Sequence, residues 1–155
     1  MSKININNVI IQKLHIGLEK DLFHFFNSIS LEDQYNFHPH DFSYIKCVSL
    51  CKDPVDDYYC VVMLDDTIIG YGMLRGIDDG YKIPSVGLII SCNFRGCGLS
   101  KILLNHLHII SRNKGFKQIM LKVNMDNNKA IMLYKTIGYK LKEYDNTQYV
   151  GFYEL

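Results

Sequence analysis

Arg95, Gly98 and Ser100 stand within the stretch Asn93-Phe94-Arg95-Gly96-Cys97-Gly98-Leu99-Ser100-Lys101, and residues of these types at this spacing can hold an anion. An apolar run, Val86 to Ile90, precedes them, and apolar residues at helical spacing, Leu99 to Ile110, follow. Strand, glycine-bearing turn, helix is the order that aims bare backbone N–H groups and the positive helix end at one point. A dinucleotide fingerprint needs glycine or alanine where Lys101 stands and an acid about twenty residues further on. Both are missing, and so is the lysine pattern of a P-loop.

Other residues could do chemistry beside such a turn. His38 and His40 flank Pro39 in a loop bordered by Phe37, and could line a substrate site or belong to an ordinary loop. Tyr134 lies on the apolar stripe of a helix and carries a phenol; Asn127 is a good helix N-cap. Cys92 and Cys97 sit next to the turn. Without a histidine in an evident pairing they read as small space-filling residues and not as nucleophiles.

The elements that must position these groups follow from periodicity. An opening strand is expected from Asn8 to Leu14 and a helix from Ile16 to Ile29. A second short helix runs from Tyr44 to Cys51, closed by Asp53-Pro54. A hairpin joins Tyr58–Leu64 to Ile68–Leu74 through Asp65-Asp66, with Gly70 and Gly72 marking a bulge or a close approach. The strand into Ile90 feeds the turn. Leu99, Ile102, Leu103, Leu107 and Ile110 form the core stripe of the next helix, stopped near Gly115. Ile119 to Val123 is a buried strand, Asn127 to Ile137 a helix stopped by Gly138. Tyr139–Tyr144 and Gln148–Tyr153 close the chain as a hairpin. The elements define an α/β fold.

Length and composition set bounds. The 155 residues suit one domain with a real core, and 48% apolar against 21% charged residues is ordinary for a globular chain. A net charge of +1 argues against a dedicated nucleic-acid binder. Yet Gly80 to Met125 holds no acid and seven bases (Lys82, Arg95, Lys101, Arg112, Lys114, Lys117, Lys122), a local field that favours a polyanion. Five scattered cysteines without zinc spacing fit reduced thiols in a cytoplasmic protein, and no metal site is expected. The polar start does not fit a signal peptide, and no apolar run is long enough to span a membrane.

Arg95-x-x-Gly98-x-Ser100 resembles the acyl-CoA signature R/Q-x-x-G-x-G/A of the GNAT superfamily of N-acetyltransferases. Leu121 to Tyr139 is similar to that family's strand–Asn–x–x–Ala–x–x–x–Tyr–x–x–x–Gly–aromatic segment, met here by Asn127, Ala130, Tyr134, Gly138 and Tyr139. The resemblance is clear from Pro84 to Tyr139, and the earlier elements come in a compatible order. Ser100 departs from the usual glycine or alanine, and Cys92 stands where many members have proline.

The resemblance implies a single N-acetyltransferase domain over residues 1–155. Its mixed, mostly antiparallel sheet would carry helices on both faces and two central parallel strands, around Ile90 and Val123, that splay apart. Acetyl-CoA would be the acyl donor. The backbone of Leu88, Ile89 and Ile90 would pair with its pantetheine arm. Gly96, Cys97, Gly98, Leu99, Ser100 and Lys101, with Arg95, would hold its pyrophosphate, and Asn127 would contact it. Tyr134 would give the leaving thiolate its proton.

The acceptor follows less directly. No glutamate occurs between Glu32 and Glu143, so a strand glutamate base is absent, and His38 or His40 with water would have to serve. Deprotonating a lysine-like amine at pH 7 costs roughly 4–5 kcal/mol; an amine of pKa near 8 costs about 1–1.5. A site without a strong base suits the easier amine. The Phe37-to-His40 loop also resembles GNAT members found with surface-polysaccharide enzymes, which acetylate nucleotide-linked amino sugars. The expected substrate is therefore a small-molecule amine, with a peptide or protein N-terminal acetyltransferase and a non-catalytic acyl-CoA module as alternatives. No nucleic acid and no membrane are expected as partners; a homodimer is left open.

Overall fold

A computed structural model describes residues 5–155. The expectation that the chain starts without a leader falls partly on positions outside these. The strands are β1 (Val9–Lys13), β2 (Tyr58–Leu64), β3 (Thr67–Arg75), β4 (Ser85–Ile90), β5 (Gln118–Asn124), β6 (Lys140–Glu143) and β7 (Gln148–Glu154). The helices are α1 (Glu19–Asn27), α2 (Leu31–Asn36), α3 (Tyr44–Lys52), α4 (Leu99–Asn113) and α5 (Asn128–Ile137). The strands form one sheet in the order β1-β2-β3-β4-β5-β7-β6. Every neighbouring pair is antiparallel except β4 with β5.

Alternation along the strands builds two cores. Tyr59, Val61, Tyr71, Met73 and Ile89 face Leu22, Phe25, Phe26, Cys47 and Leu50 of α1 and α3. Cys60, Val62, Leu74, Val86, Ile90, Ile119 and Leu121 face Leu99, Leu103, Leu104 and Leu107 of α4, with α5 packed beside them. The period of two divides each strand between the two helical layers.

Two details differ from the sequence expectation. The first helix is shorter than Ile16–Ile29. Ile16 is exposed, and after α1 the chain restarts as α2, where the Ser30 side chain accepts the Asp33 N–H as N-cap. On α4, Ile102 turns outward, and Leu104, His108 and Ser111 lie buried instead.

Gly70 and Gly72 meet both expectations. The β2–β3 register shifts between Val62 and Met63. A Cβ on Gly72 would stand 3.0 Å from Leu103 Cδ1 and 3.1 Å from Cys60 Sγ, because α4 lies directly on the strand. Gly72→Ala should therefore destabilise the fold by about 1–3 kcal/mol through overpacking, read as a lower midpoint in urea.

Candidate active site

The two parallel strands touch at one end only. Ser85 pairs with Met120, and Met120 N–H donates to Pro84 O at 3.0 Å. Beyond that point β4 and β5 diverge, and a cleft of about 1290 Å³ opens between them. Ser91 N–H donates to Ile69 O on β3, so the peptide groups of Ile90 turn the other way, toward the gap. Alternation does the same for Leu88, whereas Ile89 turns its peptide groups to Tyr71 on β3. Leu88 and Ile90 thus present a strand edge to the cleft, and Ile89 contributes a buried side chain.

The turn after β4 is bare. Gly96 and Gly98 have φ of 79° and 87°, the left-handed region, and an added Cβ at either would meet nothing within 4 Å. Gly98 is the N-cap of α4 and has no side chain to satisfy the first turn. The first bond back into the helix is Ile102 N–H to Gly98 O. The N–H groups of Leu99, Ser100 and Lys101 have no partner among the described residues, and the helix dipole adds to their positive potential. Ser100 lines the cleft, half-buried, and Lys101 is exposed. Cys97 donates its thiol to Phe94 O, and Cys92 is exposed.

Arg95 also lines the cleft, with its guanidinium already engaged. Its Nε donates to Ile90 O at 2.9 Å and its Nη2 lies 2.9 Å from Asp33 Oδ1 on α2. The other end of α2 is held from β5: Asn124 Nδ2 donates to Tyr35 O and Asn36 Oδ1, and Gln148 Nε2 donates to Asn124 Oδ1. The helix is a strap across the open ends of the splayed strands. Sequence reasoning missed Asp33, Asn124 and Gln148; the one local signal was an Asn closing an apolar strand. If Arg95 serves the strap, Arg95→Gln and Asp33→Asn should each cost under about 1 kcal/mol. The double variant should then cost no more than Arg95→Gln alone, which also loses the bond to Ile90 O, as a double-mutant cycle in thermal unfolding would show.

The remaining candidates separate. Tyr134 lines the cleft from α5, half-buried, and burial pushes its phenol up to about 12. Its hydroxyl has no hydrogen-bond partner among the described residues. Asn127 Oδ1 accepts the Ala130 N–H as N-cap of α5 at 3.3 Å, which leaves its Nδ2 free at the cleft wall. His38 lines the cleft, and its Nδ1 lies 3.0 Å from Gln34 O. A carbonyl only accepts, so Nδ1 carries the proton and Nε2 keeps its lone pair. His40 is different. Nδ1 donates to Asp41 O, Nε2 accepts from Tyr71 OH at 3.0 Å, and the ring packs on Phe26 and Phe42. Burial holds its pKa below the usual imidazole value. His40 supports the loop and does not line the cleft.

The sequence matches the acetyltransferase (GNAT) family model over residues 22–139. The chain belongs to the GNAT acetyltransferase family. It is an N-acetyltransferase by that membership. The GNAT domain of Streptomyces lividans PAT superposes with a TM-score of 0.83 at 19% identity, covering 94% of this chain and 89% of that one. The PaiA N-acetyltransferase of Thermoplasma acidophilum, solved with coenzyme A, gives 0.77 at 19% identity over 95% and 99%. The microcin C7 self-immunity acetyltransferase MccE, solved with acetyl-CoA and AMP, gives 0.76 at 17% identity over 96% and 93%. No curated protein matches the sequence. Among the described residues no helix is long and apolar enough to cross a membrane.

Proposed function

We propose that this GNAT enzyme transfers acetyl from acetyl-CoA directly to the primary amine of a small molecule, a nucleotide-linked amino sugar being the leading candidate. One observation carries the proposal: the bare turn, the unpaired β4 edge and the Tyr134 phenol converge on one gap that opens to both faces of the sheet. The residues present fit the donor. Leu88 and the Ile90 N–H offer strand-pairing groups for the amides of a pantetheine arm, Ile90 O being held by Arg95, and the N–H groups of Leu99 to Lys101 suit a pyrophosphate. When bound, acetyl-CoA supplies an activated thioester carbonyl and a thiolate leaving group.

The chain's own groups do the rest. Tyr134 keeps its proton through neutral pH and holds it where a leaving sulfur needs one. His38 Nε2 accepts a proton from the amine, directly or through one water. The chamber for the acceptor lies on the α1/α3 face, floored by Met73 and Gly87 and walled by Phe37 to Pro39. The strap ties its roof down at both ends, which favours a small molecule over a folded protein. PaiA and MccE support the donor assignment by what they were solved with.

Incubation with acetyl-CoA and a panel of amino sugars, small amines and peptides tests the proposal. Turnover on small amines is expected; turnover on peptides alone would overturn the acceptor class. The pH profile should rise as the acceptor amine loses its proton. It should show no basic limb up to about pH 10, because the phenol holds its proton to about 12.

A further inference from the structure

We infer, resting on the acetyltransferase function proposed above, that the acceptor carries an anionic group, a carboxylate or a phosphate, which Arg75 and Lys46 bind in the acceptor chamber. Arg75 ends β3 on the same face as Tyr71 and Met73, half-buried, and lines the cleft. Its Nη1 donates to Pro39 O, which anchors the His38-bearing loop. Four of its five N–H donors have no partner among the described residues. Lys46 enters the cleft from α3, also half-buried. Both cations line the same cleft as the loop from Phe37 to Pro39. Neither is in an ion pair among the described residues, where the single salt bridge is Arg95–Asp33.

The nearby acids are accounted for separately. Asp57 Oδ1 accepts the N–H groups of Ile77 and Asp78, and Asp78 accepts those of Val55 and Asp56. These carboxylates close the β3–β4 loop and leave the guanidinium fork unmatched. Asp79 and Glu32 reach the cleft as well, and carry the charge that would attract a protonated amine. Tyr59, buried beside Arg75 with its hydroxyl unpartnered, adds a donor. A half-buried guanidinium with a free planar fork is built for a two-oxygen anion, and a second cation beside it adds a point charge. A neutral amine would leave the guanidinium fork uncompensated, whereas Lys46 has the Asp41 carboxylate near it.

Matched amines test this: glucosamine against glucosamine 6-phosphate, and glycinamide against glycine, each assayed with acetyl-CoA. The charged member of at least one pair should have a kcat/KM about ten- to a hundredfold higher, the worth of one charge-assisted contact. The pair that responds separates phosphate from carboxylate. Arg75→Gln should remove that preference through the acceptor KM, with the KM for acetyl-CoA little changed. Lys46→Gln, which breaks no bond within the fold, should lower it several-fold, and Arg75→Lys should restore part of it. Equal or better use of the neutral members overturns the inference, as does a preference untouched by both Gln variants or acetyl-CoA binding without acetylation of any member. Failure to bind acetyl-CoA would overturn the acetyltransferase proposal and this inference with it.

Discussion

Tyr134→Phe is expected to lower kcat by about 10²–10⁴-fold, the usual weight of a positioned proton donor, while acetyl-CoA affinity holds. The substitution is clean. The hydroxyl makes no hydrogen bond among the described residues, so none within the fold is lost. The ring keeps its tilted contact with Tyr139 at 5.6 Å between centroids. A phenol near 12 is a weak acid toward a thiolate of ordinary pKa about 8.5. It therefore acts through a hydrogen bond that shares its proton as the C–S bond lengthens, not by ionising beforehand. Steady-state kinetics with equilibrium binding of acetyl-CoA make the test. Full turnover by the variant would remove Tyr134 from the mechanism. Binding without turnover by both proteins would instead favour the non-catalytic acyl-CoA module.

What the sequence made legible was local. Gly96, Gly98 and the start of α4 lie on one continuous stretch, so their spacing already implies a bare turn with positive φ. Asn127 and Tyr134 share one helix, so the helical period alone puts both near the wall that faces the turn. Direction across the chain was not legible. Arg95 stands beside the cradle in sequence, yet its guanidinium goes to Asp33 because α2 crosses the mouth of the cleft there. A six-residue helix has too few turns to declare a period, and only the Ser30 cap marked it. His38 and His40 are two residues apart and of one type. The loop gives the first a free Nε2 in the cleft and buries the second against Phe26 and Tyr71. The family resemblance groups Ile89 with Leu88 and Ile90, but the pleat turns alternate peptide groups to opposite edges of a strand.

Acidification from pH 7 to 4 is expected to remove on the order of 2–3 kcal/mol of stability through His108 alone. His108 is buried on α4, its Nε2 is hydrogen-bonded to the Tyr139 hydroxyl at 2.7 Å, and its ring stacks on Tyr153. Burial, helped by the Arg112 charge, lowers its pKa from 6.5 to about 4. The sign follows from proton counts. Between these two values the unfolded chain binds a proton that the folded chain refuses, so stability falls as pH drops through 6.5 and levels off below about 4. Each pKa unit is worth about 1.36 kcal/mol. His106, hydrogen-bonded to the Tyr58 hydroxyl, and His40 are also lowered by burial and add slope of the same sign. His108→Gln keeps an acceptor for the Tyr139 hydroxyl and removes the titration. Urea unfolding at pH 7 and pH 4.5 should show the wild type losing markedly more stability than this variant. Equal losses would mean that His108 takes up its proton in the folded state at the ordinary pKa, which its seat between Tyr139 and Tyr153 opposes.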